Sequence, residues 1–135
     1  MTPGERVAAA AQDAVGARFR LHGRDPATGL DCVGVARLAL HAGGHRGPWP
    51  AGYPLRTGEV ARFAACWRGL AAADGAAPGD VIVVRTAAGQ VHLAVRTAAG
   101  FVHADAALRR VVERPGMPPW PMIAAWRVRT DEVGG

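Results

Sequence analysis

Hydrophobic positions follow two different spacings along the chain. In three segments before the turn sequence APGD, which ends at Asp80, apolar residues recur every three or four positions, as in helices that bury one face. After Asp80 the spacing falls to two, and short valine-rich runs alternate with turn residues, which is typical of antiparallel strands. Helices followed by strands predict an α+β fold, and 135 residues suit one domain over residues 1–135.

The first and third of the three predicted helices are defined by their capping residues and apolar positions. Thr2 and Glu5 form a capping box with proline at the first helical position, which predicts a helix to about Ala14. The other helix is predicted from Thr57 to about Ala73, with Leu70 on its apolar side.

The middle helix carries the first residue of chemical interest. Asp31 is a suitable N-cap, and it places Cys32 in the first helical turn. Gly43 and Gly44 predict the end of this helix. Its apolar stripe consists of Val35, Leu38 and Ala39.

The second half predicts about five strands. The runs with strand character are DVIVVRT, QVHLAVRT, GFVHAD, LRRVVE and, closing the sheet, PMIAAWRV. The hexapeptide VRTAAG occurs twice and supplies a glycine-terminated hairpin loop each time. Helices packed on a roughly five-stranded antiparallel sheet are therefore expected.

Composition narrows the function classes. The net charge is +5 and the pI near 10.9, but every basic residue except histidine is a scattered arginine, so nucleic acid is not expected as a partner. No apolar run is long enough to span a membrane, and membrane insertion is not expected. The N-terminal segment lacks the features of a secretory signal, which predicts synthesis in the cytoplasm.

Cys32 and Cys66 are the only cysteines, and we expect free thiols, not a disulfide. At a helix start, backbone N–H groups and the helix dipole favour the thiolate, which predicts a pKa for Cys32 below the ordinary value. A free cysteine is otherwise a small buried residue, so position alone leaves Cys32 open as nucleophile or core. Cys66, on or near the apolar stripe of the third helix, is interpreted as core.

Two of the five histidines are linked by strand register. If the apolar faces of QVHLAV and GFVHAD match across a four-residue loop, His103 lies opposite Ala94 and diagonal to His92. Two histidines on one sheet face suit a base and its orienting partner, although a structural pair is the alternative. His41 and His45 have two glycines between them and are expected at the surface, so no metal site is predicted.

Three motifs in order resemble the NlpC-type cell-wall peptidases, which are papain-like cysteine enzymes. They are GLDCVG, PGDVIVV and VHLAVRTAAGFVHAD, and FRLHG and PWPMIAAWRV extend the likeness over nearly the whole chain. The likeness is greatest to the small members carried by phage tails and gene transfer agents. Where the family often has serine, this chain has Val33, and where it usually has tyrosine, this chain has Phe19.

The resemblance implies Cys32 as nucleophile, His92 as general base and His103 as the residue that orients it. We further expect Phe19, Asp31 and His22 to line the cleft or bind substrate. Phe19 has no hydroxyl, so oxyanion stabilisation would depend more on backbone N–H groups at Cys32.

The resulting hypothesis is a peptidase that hydrolyses peptidoglycan peptides, at the bond between D-glutamate and a diamino acid, without metal or organic cofactor. Without a signal sequence, delivery in a phage-like tail is expected, with tail or baseplate proteins as partners and the cell wall as the site of action. The alternative hypothesis is a tail subunit that keeps the fold and has a binding or structural role, but has lost catalytic turnover.

Overall fold

The computed structural model describes residues 1–47, 67–87 and 90–129. Within these ranges the helices are α1 (Pro3–Asp13) and α2 (Cys32–Ala42). The strands are β1 (Arg24–Asp25), β2 (Gly29–Leu30), β3 (Leu70–Ala72), β4 (Val81–Ala87), β5 (Gln90–Arg96), β6 (Gly100–Asp105), β7 (Arg110–Pro115) and β8 (Met122–Val128). None of the helices in these ranges has the length and hydrophobicity needed to cross a membrane.

Helix α1 begins as its sequence predicts. The Thr2 hydroxyl accepts the Glu5 N–H at 3.1 Å, and the Glu5 carboxylate accepts the Thr2 N–H at 2.7 Å. Both bonds satisfy backbone donors that the first turn leaves unpaired. The helix ends at Asp13 with Ala14 as its C-cap, which confirms the predicted boundaries.

The sheet confirms the α+β class and has six strands where about five were predicted. Its order is β3-β8-β4-β5-β6-β7, all antiparallel, and β1 and β2 form a separate short hairpin. Strands β4 to β7 form the predicted meander. The last strand, β8, returns to pair with β4 and not with β7, and β3 pairs with its other edge.

Two local expectations were wrong. The third predicted helix extended to Ala73, yet Leu70–Ala72 is strand β3, since its backbone pairs with β8 beginning at Leu70 opposite Val128. Tertiary pairing outweighs helical periodicity in this short run. The rest of that predicted helix up to Cys66 lies outside the described residues. His45 was expected at the surface but is only 9% exposed, because the chain folds back over the end of α2.

Helix α2 is the central element of the core. It packs against β5 and β6 on one side and against α1 and the β1–β2 hairpin on others. Full burial of a valine or leucine side chain contributes about 1.5–3 kcal/mol. The side chains of α2 that are at most 2% exposed are Val33, Val35, Ala36, Ala39 and Leu40. Cys32, at the start of this helix, is therefore held in place by packing on nearly every side.

Gly34, the last residue of the DCVG motif, permits the close approach of α2 to the hairpin. A Cβ at this position would lie 2.2 Å from the Gly23 carbonyl oxygen and 3.2 Å from a Leu30 methyl group. An alanine normally stabilises a helix interior by about 0.5–1 kcal/mol relative to glycine. We expect Gly34→Ala to have the opposite sign and to lower the free energy of unfolding by about 1–3 kcal/mol, measured by urea denaturation. A stabilised variant would contradict the backbone contact.

Candidate active site

Asp31 fixes the turn that carries the cysteine. One oxygen, Oδ1, accepts the Gly34 N–H at 2.9 Å and Nη1 of Arg24 at 3.1 Å, and Oδ2 accepts the His22 N–H at 2.7 Å. The Asp31 side chain is fully buried. These bonds tie the β1–β2 hairpin to the start of α2, so Asp31 holds the helix terminus and is not among the residues that line the cleft.

The Cys32 thiol is a free thiol that is only 4% exposed. Burial raises its pKa to about 12, and the neighbouring Asp31 carboxylate adds to the increase. Hydrogen bonds from the backbone of Leu93 and from the helix start oppose this effect without reversing it. The expectation of a lowered pKa was therefore wrong, because loss of hydration outweighs the helix terminus. The thiol is protonated at neutral pH.

The contact with Leu93 also shows where the thiol lies. Leu93 belongs to β5 and follows His92 directly in sequence. The start of α2 is thus packed against the strand that carries the first of the two linked histidines. The side chains of Cys32 and His92 line the same cleft.

His92 and His103 form a pair across β5 and β6. The predicted register is confirmed: Val95 pairs with Val102 and Arg96 with Phe101, and the same register continued places His103 beside Ala94. Nε2 of His92 lies 2.8 Å from Nδ1 of His103, with the rings nearly perpendicular at 84°. Since this bond uses Nε2 of His92, its Nδ1 is the ring nitrogen left to exchange a proton within the cleft.

Both imidazoles are neutral at physiological pH. The pKa of His92 is lowered to about 4, mainly by burial and to a smaller extent by electrostatic interaction with His103, and the Asp105 carboxylate opposes both effects. Burial also lowers the pKa of His103, with Asp105 opposing and Arg114 assisting. A neutral imidazole has a free lone pair, so His92 is able to accept a proton from a thiol that still carries one.

A cleft of about 340 Å³ collects most of the predicted site residues. Cys32, His92, His103 and Phe19 all line it, whereas His22 does not. His22 is exposed in the turn before β1, with a left-handed φ of 61°. The other lining residues are Thr86, Gln90, Val91, Ala104, Asp105, Ala106 and Trp120.

Trp120 forms an aromatic wall that the sequence analysis did not identify. Its ring lies 5.8 Å from that of His92 and 5.6 Å from that of His103, in edge-on arrangements. The Arg114 guanidinium lies 5.9 Å from the Trp120 ring, within cation–π range. No sequence signal assigns Trp120 to the site, because it lies between two prolines outside any periodic run.

Asp105 was missed as well, although a signal for it exists. In the strand β6 it is two residues after His103, so alternation places both side chains on one sheet face. Among the described residues, no group of three or more His, Cys, Asp or Glu side chains has the arrangement of a metal site.

Solved structures with the same fold carry the NlpC and P60 names. The chain is similar to NlpC1 from Trichomonas vaginalis, with a TM-score of 0.69, 21% identity, and coverage of 93% of this chain and 44% of that chain. It is also similar to NlpC2 from the same organism, with a TM-score of 0.69, 20% identity, and coverage of 93% of this chain and 47% of that chain. For the P60 domain of an antigen from M. avium subspecies paratuberculosis, the TM-score is 0.56 and the identity 20%, and the match covers 93% of each chain.

This chain spans less than half the length of the two Trichomonas proteins. The sequence matches no protein-family profile and none of the curated proteins. The structural likeness establishes the NlpC/P60-type α+β fold that the sequence motifs predicted.

Proposed function

We propose that this NlpC/P60-type domain is a cysteine peptidase that hydrolyses peptide bonds in bacterial peptidoglycan. One observation carries the proposal: a cysteine at a helix start and a hydrogen-bonded histidine pair line a single cleft. Nucleophile, base and orienting group are the three parts that nucleophilic amide hydrolysis requires. The substrate class follows from the resemblance of the motifs to NlpC-type cell-wall peptidases, and the NlpC and P60 names of the structural neighbours agree with that resemblance.

In the proposed mechanism Cys32 attacks the amide carbonyl as its proton passes to His92. Because the thiol is protonated and His92 is neutral, proton transfer accompanies attack and does not precede it. The imidazolium formed at His92 then protonates the leaving amine, and an acyl-enzyme remains on the Cys32 sulfur. Water, deprotonated by His92, hydrolyses this thioester and regenerates the thiol.

Backbone N–H groups at the start of α2 are suited to stabilise the tetrahedral oxyanion. The first turn of a helix has donors without intrahelical partners, and the Asp31 side chain accepts one of them, the Gly34 N–H. Phe19 lines the cleft in the position where the resembling family usually has tyrosine, and it supplies no hydroxyl. Oxyanion stabilisation is therefore assigned to the backbone at Cys32.

The proposed bond joins D-glutamate to a diamino acid in the stem peptide. We further propose that the protein is carried in a phage-like tail, with tail or baseplate proteins as partners, and acts at the cell wall. These two proposals follow from the resemblance of the motifs to the phage-tail and gene-transfer-agent members of the family. Purification of the protein within such particles would test the second.

One observation favours the alternative, a tail subunit without turnover. The Cys32 thiol is only 4% exposed and its pKa is about 12, which is far from the reactive thiolates of many cysteine enzymes. A binding subunit would hold a peptide in the same cleft without cleaving the peptide. Activity measurements separate the two functions.

The test of the proposed function is mass spectrometry of purified muropeptides after incubation with the protein. We expect fragments cleaved on the carbonyl side of D-glutamate, and the masses identify the bond directly. Unchanged muropeptides, at protein concentrations that saturate binding, would establish the non-hydrolytic alternative.

We expect the activity to persist to an unusually low pH. His92 serves as base only when neutral, and its lowered pKa of about 4 keeps it neutral throughout the weakly acidic range. We expect kcat/KM to stay nearly constant down to about pH 5 and to fall about tenfold per unit below pH 4. The measurement is the initial rate of muropeptide cleavage between pH 3 and 8. A fall centred near pH 6.5 would show a solvated His92 and contradict the mechanism.

A further inference from the structure

Asp105 stands at the far end of the histidine pair. Its Oδ2 lies 3.9 Å from Nε2 of His103, and its side chain is 19% exposed where it lines the cleft. Its Oδ1 accepts the Leu108 N–H at 3.0 Å. This turn holds the carboxylate so that the second oxygen faces His103.

Nε2 of His103 needs a hydrogen-bond partner, and this oxygen can provide one. The atom is buried and makes no hydrogen bond with any residue of the described ranges. Leaving such a group unpaired is costly, whereas a bond to a carboxylate is among the stronger ones. At 3.9 Å the two atoms are beyond hydrogen-bond distance, and a closure of about 1 Å by the Asp105 side chain forms the bond.

We propose that Asp105 is a positioning residue that sets the tautomers of both histidines, an inference that rests on the proposed function. A carboxylate only accepts, so it selects the His103 form with the proton on Nε2. Nδ1 of His103 must then accept from Nε2–H of His92 across their 2.8 Å bond. His92 Nδ1 is left without a proton, as the base facing the thiol must be.

The opposite tautomers would block the reaction. If His103 carried its proton on Nδ1, it would donate to His92 Nε2, and the His92 proton would occupy the nitrogen needed for catalysis. Neither of the two other titratable groups beside the pair offers an acceptor to His103 Nε2: Arg114 on β7 has only donors, and Cys32 on α2 carries a neutral thiol on the His92 side. Asp105 is the acidic group whose charge acts on both imidazoles.

The decisive variant is Asp105→Asn, which keeps the size and the carbonyl that accepts from Leu108. Its amide places a donor toward His103 Nε2 and favours the Nδ1–H form. We expect two-bond ¹H–¹⁵N NMR spectra to show His103 protonated on Nε2 in the wild type and shifted toward Nδ1 in the variant. Muropeptide cleavage should fall about ten- to a hundredfold, less than the 10⁴-fold loss known for a directly hydrogen-bonded triad aspartate.

Two further variants separate positioning from other effects. Asp105→Glu keeps the carboxylate and should restore both the Nε2–H signal and most of the rate, which a loss of folding would not. Asp25→Asn is the matched control, because Asp25 is an exposed aspartate that likewise accepts a turn N–H, at 2.9 Å from Ala27, and does not line the cleft. It should change neither readout.

The NMR readout needs no substrate, so the inference and the proposed function fail in distinguishable ways. If Asp105→Asn shifts the tautomer but the wild type cleaves nothing, the inference stands and the peptidase function is wrong. If the wild type cleaves muropeptides and Asp105→Asn leaves the His103 tautomer unchanged, the inference is overturned, even where the rate falls.

Discussion

Replacement of Cys32 by alanine is expected to reduce muropeptide cleavage by at least about 10⁴-fold. The proposed reaction passes through a bond to the sulfur, and alanine offers no atom that can form it. The fold should survive, because the alanine removes a single buried atom from a closely packed site and costs about 1 kcal/mol. The measurement is the initial rate of cleavage followed by mass spectrometry, with thermal unfolding of both proteins.

Cys32→Ser provides the matched comparison. It keeps the size and a hydrogen-bonding group, yet the hydroxyl is a much weaker nucleophile beside a base whose pKa is near 4. We expect the serine variant to unfold at nearly the wild-type temperature and to be almost as inactive as the alanine variant. Retention of a tenth or more of the rate in Cys32→Ala would exclude covalent catalysis by this residue.

The largest effect on stability is expected at Arg127. Its Nε and Nη2 donate to the two oxygens of Asp80 at 2.7 and 2.9 Å, joining β8 to the start of β4. Asp80 is fully buried, whereas Arg127 is 42% exposed at its side chain. In Arg127→Met the carboxylate would remain buried, and of its hydrogen bonds to described residues it would keep the one from the Ala77 N–H at 3.2 Å. An unpaired buried carboxylate is costly because it loses hydration without compensation.

We therefore expect Arg127→Met to lower the free energy of unfolding by about 3 kcal/mol and the melting temperature by roughly 10 °C. Urea denaturation measures the first and calorimetry the second. Arg85→Met is the matched control, since Arg85 is an exposed arginine on the neighbouring strand β4. Its effect should stay within about 0.5 kcal/mol. Equal effects of the two substitutions would show that the pair with Asp80 adds nothing to stability.

The histidine pair was predictable because strand register is a local property. Alternation in QVHLAV and GFVHAD fixes which residues share a face, and the length of the hairpin loop fixes which residues face each other. Nothing beyond these segments is needed to bring His92 and His103 together, and the observed 2.8 Å bond follows. The same alternation extends to Asp105, so the sequence contained its position although the prediction did not use it.

The state of the cysteine was not predictable in the same way. The sequence identifies Asp31 as N-cap and Cys32 as the first helical residue, and both assignments are confirmed. The pKa of the thiol, however, depends on how completely β5 and the rest of the core bury it, which is a property of the assembled fold. The position of Asp31 is a second example. It was expected to line the cleft, but in the assembled fold its side chain is buried and bonded to His22 and Arg24.

Contacts between distant segments account for the remaining differences. Strand β3 exists because β8 lies beside it, and no pattern within Leu70–Ala72 records a partner more than fifty residues away. Trp120 reaches the cleft because β8, which follows it, returns to the middle of the sheet. Local periodicity predicts elements, and these pairings decide which elements meet.

The return of β8 also sets the order in which the protein can be assembled during translation. The meander of β4 to β7 contains only neighbouring pairings and can form as soon as it leaves the ribosome. The pairing of β4 and β3 with β8 must wait for residues 122–128. Trp120 lies two residues before that strand, so the cleft gains its aromatic wall only once β8 has been made and has paired. A nascent chain would carry thiol and histidines before it has a closed binding site.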